Sequence, residues 1–342
     1  MRIRILAGTE VATTTLGFGC AGLFRLPWKA DRRAILEAAY ELGIRHFDVA
    51  PMYGLGRAEA ELAPVLKHRR GDMTITTKFG IDPTAMARGV SRLQGPPRVV
   101  ARALPGFGEE LRALGKGPSS RWVGRLLYTS AGYSAQAARL SLTRSLRALR
   151  TDYIDVFVLH DPVGHLISQA PSLVAYLNHE RDVGHIRCWG VAGEPKDLQT
   201  VTQKLQETIP LLELRDDIFL PCPDVTRGTA GATITFGMLG RALPVLRKFF
   251  LQFPEERDAW NTRIGHDLGD TTTLPMLLIR EALRRNTTGP VLFSSTRLDR
   301  VRVAVANADS ANDASGAEES KAMRQLAFTV SSTYPQSAVP YD

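Results

Sequence analysis

Two rhythms of hydrophobic positions alternate along this chain. Short apolar or β-branched runs begin near residues 16, 46, 73, 153, 185, 218, 232 and 290. Between them lie stretches with three-four spacing, such as Ile35, Ala38, Ala39 and Leu42, or Ala138, Leu142, Leu146 and Leu149. The first rhythm predicts strands and the second predicts amphipathic helices. The run Tyr153 to His160 is almost wholly apolar, as expected of a strand covered on both faces. Asp31 and Ser134 stand where helices start, and Gly43 stands where one stops. Strands 218 to 220, 232 to 236 and 290 to 294 complete the series after strand 185 to 191, with helices near 171 to 180, 195 to 207, 241 to 252, 272 to 285 and 298 to 306.

Eight strands joined by helices pair in parallel, because each return crossover needs a helix, and eight such units close into a ring. The predicted fold is an α/β (β/α)8 TIM barrel. Ahead of it, Ile3 to Leu6 and Val11 to Thr15, broken by Gly8, predict an N-terminal β-hairpin. Residues 81 to 133, with Pro, Gly and Arg in irregular order, form a long insertion after the third strand, with one or two short helices. We therefore expect a single barrel over residues 1–306 with 81–133 as an inserted loop region. Residues 307–342, rich in Ala, Ser, Asp and Glu, are expected to be a polar C-terminal tail with a polar helix.

Composition narrows the function classes. With 44% hydrophobic and 23% charged residues over 342, pervasive disorder and a fibrous repeat are excluded. The formal charge of +8 favours anionic partners, but the basic residues are scattered, so no nucleic-acid partner is signalled. Cys20, Cys188 and Cys222 are odd in number and lack metal-ligand spacing, so neither a disulfide frame nor a metal site is expected. The chain begins Met-Arg-Ile-Arg-Ile-Leu without a signal-like apolar stretch, and no run reaches the roughly 20 apolar residues of a membrane span. These readings lead us to expect a cytoplasmic protein without a membrane partner, a monomer or weak oligomer.

In such a barrel, polar residues that close apolar strands carry the chemistry. Asp48 closes the second strand, Tyr53 follows in its loop, Lys78 closes the third and His160 closes the fourth. A phenol's pKa near 10 makes it a poor proton donor at neutral pH, and a neighbouring ammonium lowers that value. Lys78 is thus expected to tune Tyr53, Asp48 to keep Lys78 charged, and His160 to orient a carbonyl oxygen or share the proton. Protonating that oxygen implies hydride arriving at the carbon. No side chain supplies hydride, so a nicotinamide cofactor is implied.

Phe47-Asp48-Val49-Ala50-Pro51-Met52-Tyr53-Gly54, Thr77-Lys78-Phe79-Gly80 and Val158-Leu159-His160-Asp161-Pro162 resemble the three signature blocks of the aldo-keto reductase superfamily. The similarity spans about residues 1 to 305 outside the insertion. Tyr-Ser-Ala at 133 to 135 and the insertion ahead of it are similar to the sugar and pyridoxal dehydrogenase branches. The resemblance implies NAD(P)H bound in extended form at the open end, with NADP (NADPH) ahead of NAD, and Tyr53 as general acid-base. It implies a small-molecule carbonyl or alcohol substrate, a sugar or small aldehyde. It also implies that Phe236 stacks on the nicotinamide and that Ser295 and Arg300 bind the adenosine phosphate. Gly190-Val191-Ala192-Gly193 departs from the family's Gly-Val-Ser-Asn, which holds the carboxamide, and Val303-Ala304 departs from its Glu-Asn at the adenine.

Those departures sustain an alternative, a catalytically weak nucleotide-sensing or partner-binding barrel. Taken singly, Asp48 is more often a helix cap or loop carboxylate, Tyr53 a packed loop aromatic, Lys78 a solvated strand end and His160 a satisfied core histidine; the four together are what point to a site. Gly17-Phe18-Gly19-Cys20-Ala21-Gly22 spells a dinucleotide fingerprint, but the next helix starts too late and no acid closes a second strand at the usual interval. It is read as the first barrel strand and its loop. Trp28 and Trp122 are equally suited to a substrate mouth and to loop packing.

Overall fold

A computed structural model describes residues 1–92, 127–162, 167, 169–205, 208–220, 230–309 and 314–333. Twelve strands occur among them: β1 (Ile3–Ile5), β2 (Ala12–Thr14), β3 (Leu16–Gly19), β4 (His46–Asp48), β5 (Thr74–Phe79), β6 (Ile81–Pro83), β7 (Tyr128–Ser130), β8 (Ile154–His160), β9 (Ile186–Gly193), β10 (Ile209–Arg215), β11 (Ala230–Phe236) and β12 (Val291–Phe293). Eight of these close a parallel barrel in the order β3-β4-β5-β8-β9-β10-β11-β12, with β12 returning to β3. The (β/α)8 barrel follows from the alternation seen in the sequence: among the described residues, a helix lies between successive barrel strands from β3 to β10 and between β11 and β12.

The antiparallel pair β1-β2 is the expected hairpin, and it places Leu6 and Val11 beneath the barrel. Both are fully buried with Val156, Val158, Leu211, Ala232, Ile234 and Leu292, so the hairpin plugs the end opposite the strand C-termini. A larger cluster fills the space between barrel and helices, with Phe18, Phe47, Phe79, Phe157 and Trp189 among its members. Helix Ala135–Leu149 begins as predicted at Ser134, whose hydroxyl accepts from the Ala137 amide at 3.2 Å. Helix Lys29–Glu41 instead starts directly after Pro27-Trp28, ahead of Asp31, without a side-chain cap.

One predicted strand is displaced. The sixth barrel strand is Ile209–Arg215, not 218 to 220. The latter residues form a turn, because Asp217 accepts from the amides of Phe219 and Leu220 at 2.8 and 2.9 Å. Pro210, which lacks an amide hydrogen, and two charged residues disguise the true strand in the sequence. It is held by a parallel register with β9 and β11, Glu213 lying between Ala192 and Ile234.

The insertion is anchored by its two ends. β6 and β7 pair antiparallel, Ile81 opposite Ser130, and Arg144 ties Asp82 to helix Ala135–Leu149 at 2.5 Å. Helix Ala85–Arg92 follows β6; residues 93–126, including Trp122, lie outside the described residues. Beyond the barrel, helix Ala314–Thr333 has an apolar face of Met323, Leu326, Ala327 and Val330. That face packs with Trp260, Leu274 and Leu277 into a second cluster. Ser320 and Arg324 bond Glu281 at its edge.

Candidate active site

The rim formed by the strand C-termini surrounds a cavity of about 790 Å³. Asp48, Tyr53, His160, Glu213 and Phe236 line its floor, and Ser294, Ser295, Arg300, Arg25 and Arg215 line its outer parts. Three of the four predicted catalytic residues, Asp48, Tyr53 and His160, line this cavity, as do the three residues expected to contact a cofactor, and the fourth, Lys78, is buried and bonded to Asp48.

Lys78 is fully buried and donates to Asp48 at 2.5 Å. It also donates to both carboxylate oxygens of Glu213, at 2.5 and 2.6 Å. Burial alone would lower the lysine's pKa, but Asp48 and Glu213 together hold it above its ordinary value, so it remains an ammonium. Asp48 is pushed up to about 8, first by burial and then by the charge of Glu213, against the pull of Lys78. Glu213 has no counterpart among the residues expected at the site. A single acid inside the apolar run Leu211-Leu212-Glu213-Leu214 is the same signal that marked Asp48 and Lys78, and the misplaced sixth strand hid it.

Tyr53 stands on a short 3-10 turn, Tyr53–Leu55, after β4. Gly54 makes this turn possible: its φ is +61°, and a Cβ there would meet the Phe24 ring at 2.3 Å. The Tyr53 ring meets the His160 ring edge to face, centroids 5.9 Å apart. Burial raises the phenol well above its ordinary pKa, and the pull of Lys78 does not overcome this because Asp48, Glu213 and Asp161 oppose it. The expected tuning by Lys78 is thus present in sign but outweighed, and Tyr53 is a protonated phenol at neutral pH.

His160 is lowered to about 3, by burial first and Lys78 second, so its imidazole is neutral. Its Nδ1 is buried without a hydrogen-bond partner among the described residues, and its Nε2 lies 3.9 Å from Asp161. The Tyr133 hydroxyl donates to the His160 carbonyl at 2.6 Å, which fixes the backbone at this strand end. A neutral imidazole beside a phenol can share a hydrogen bond to one oxygen atom. It does not act as a strong acid.

Phe236 closes β11 with the Arg215 guanidinium 5.6 Å from its ring centre, and Arg215 also bonds Glu194 at 3.3 Å. Ser295 accepts from the Arg297 amide at 3.1 Å just before helix Leu298–Asp309. Arg297 is turned outward onto Asp299 at 2.6 Å, which leaves Arg300 as the guanidinium of this segment on the cavity. Ala192 and Gly193, at the end of β9, present no polar side chain. Cys20 and Cys188 are buried thiols raised above their ordinary pKa by burial, and Cys222 lies outside the described residues. Trp28 is half-exposed. Among the described residues there is no group of acids, histidines and cysteines suited to a metal, and no helix long and apolar enough to cross a membrane.

The model of the Aldo/keto reductase family matches residues 15–213, more than half of the chain and all three signature blocks. The chain belongs to the aldo/keto reductase family. Among curated relatives of this aldo/keto reductase, pyridoxal 4-dehydrogenase from Microbacterium luteolum is 40% identical over 98 residues, 28% of this chain and 29% of that protein. D-threo-aldose 1-dehydrogenase from a Pseudomonas species is 30% identical over 200 residues, 57% of this chain and 54% of that protein. L-galactose dehydrogenase from Arabidopsis thaliana is 26% identical over 58% of this chain and 51% of its own length. The chain thus spans about half, or less, of the curated relatives it matches. The holo form of aldo-keto reductase AKR11C1 from Bacillus halodurans superposes with a TM-score of 0.66 at 20% identity, covering 95% of this chain and 96% of that one. At that identity the likeness speaks for the fold.

Proposed function

We propose that this protein is an NAD(P)-dependent oxidoreductase that interconverts a carbonyl and an alcohol, with Tyr53 as general acid-base. The observation that carries the reading is the meeting of Tyr53, His160 and the Asp48-Lys78-Glu213 cluster on the floor of one cavity. The cavity suits a dinucleotide: an aromatic face at Phe236 lies near the floor, and hydroxyl and guanidinium groups at Ser295 and Arg300 lie near a helix start. NADP is favoured over NAD, since Arg300 suits a phosphate monoester. When bound, the nicotinamide supplies or takes up the hydride.

In the reductive direction, the Tyr53 hydroxyl donates its proton to the carbonyl oxygen. Neutral His160 orients that oxygen by a hydrogen bond from its Nε2 side. Lys78 lends the phenolate left behind a positive charge, and Asp48 and Glu213 fix the lysine in place. A sugar hemiacetal or a pyridoxal-like aldehyde is the substrate class suggested by the names of the curated relatives.

The lack of polar side chains at Ala192 and Gly193 favours one rival, a barrel that binds nucleotide but turns over weakly. Fluorescence titration with NADPH, followed by a panel of sugars and aldehydes monitored at the cofactor's absorbance, separates the two. Binding with turnover is the expected result. Binding without turnover on the panel would support the rival, and failure to bind either NADPH or NADH would overturn both.

A further inference from the structure

Asp48 is one of the two acids that hold Lys78 as an ammonium. Glu213 is a second, reaching the same nitrogen from across the barrel. Burying another carboxylate is costly, and this one raises both Asp48 and Tyr53, which makes Tyr53 a weaker acid for carbonyl reduction. With Asp48 ionised, two carboxylates against one ammonium leave an excess negative charge on the cavity floor, and the nearby Asp161 adds to it.

Nicotinamide differs between its two states in charge: the oxidised ring is a cation and the reduced ring is neutral. A ring whose C4 reached a carbon bonded to an oxygen at Tyr53 and His160 would share the cavity that Asp48 and Glu213 line. Ala192, beside Glu213 in the sheet register, has no polar group to compete for it.

Resting on the dinucleotide reading above, we propose that Glu213 sets the redox preference of the cavity, its carboxylate favouring the oxidised, cationic nicotinamide over the reduced one and so favouring oxidation of an alcohol or hemiacetal. In that direction the substrate C–H bond breaks and both its electrons pass with the hydrogen to nicotinamide C4. For this the Tyr53 phenol first gives up its own proton to solvent, and the phenolate then takes the substrate O–H proton as the C=O bond forms. Among the described residues, Lys78, Asp48, Tyr53 and Asp161 bear on Glu213, and Arg215, two residues along β10 and 5.6 Å from the Phe236 ring centre, is paired with Glu194 at 3.3 Å.

The test is a calorimetric titration of the full chain with NADP+ and with NADPH at about pH 9, where Asp48 has given up its proton. Wild type is expected to bind NADP+ more tightly than NADPH. Glu213→Gln keeps an acceptor for Lys78 and should weaken NADP+ roughly tenfold while changing NADPH less than twofold. Glu213→Asp keeps the charge and should keep the wild-type ratio. A ratio unmoved by Glu213→Gln, or equal losses for both forms, would overturn the proposal and reduce Glu213 to a holder of Lys78. Wild type preferring NADPH would overturn it without any variant. Binding of neither form would overturn the dinucleotide reading itself.

Discussion

Lys78 on β5 reaches Glu213 across the barrel at 2.5 Å, the same distance that separates it from Asp48 on the adjoining strand. The lysine is therefore the keystone of a buried charge cluster that ties three strands together. Removing it leaves the buried acids Asp48 and Glu213 facing each other without a cation. We expect Lys78→Met to lower stability by about 3 kcal/mol at neutral pH. Adding Glu213→Leu should restore part of the loss, because a buried acid left without its cation is replaced by an apolar side chain. Denaturant unfolding of the two single variants and the double variant measures this. A Lys78→Met protein as stable as wild type would contradict the account of the cluster.

Gly54, packed against the Phe24 ring, carries the turn that presents Tyr53. Gly54→Ala places a methyl group into the Phe24 ring at a left-handed φ and should displace the turn. The expected outcome is a fall in kcat/KM of at least roughly tenfold, with stability reduced by about 1–3 kcal/mol. Pairing it with Phe24→Ala should recover part of both. Unchanged kinetics in Gly54→Ala would show that the turn does not position the phenol.

His46 lies at the start of β4, buried, 3.1 Å from the Thr76 hydroxyl, and burial pushes it down to about 3. Its native pKa is below the unfolded value, so the fold binds fewer protons than the unfolded chain between about pH 6.5 and 3. The contribution is complete above that window and is lost as pH falls through it. Wild type minus His46→Asn stability should therefore decline by about 1.4 kcal/mol per pH unit from pH 6 to 4. Subtracting the variant cancels the carboxylates that titrate over the same range. A difference independent of pH would mean that His46 is protonated in the fold.

Much of this was legible in the chain. Seven of the eight barrel strands announce themselves as apolar or β-branched runs, and Asp48, Lys78 and His160 stand out because an ionisable side chain at the end of such a run is out of place in a core. Tyr53 is found by its distance from Asp48 in the loop. The sixth strand was not legible, because Pro210, Glu213 and Arg215 break its pattern, while Ile218-Phe219-Leu220 offers a better-looking run that Asp217 caps as a turn. Glu213 is buried because a lysine 135 positions earlier neutralises it, and no local pattern records a partner that distant. The net effect on Tyr53 was hidden for the same reason. Lys78 alone predicts an easier proton donor, while the second carboxylate and burial decide the outcome.

The most direct measurement is turnover and NADPH affinity of Tyr53→Phe beside wild type. Loss of the hydroxyl alone should reduce turnover roughly a thousandfold while the cofactor Kd changes less than twofold, since the phenol gives a proton and does not hold the dinucleotide. Turnover equal to wild type in Tyr53→Phe would contradict the assignment of the proton donor and with it the chemistry derived for the site.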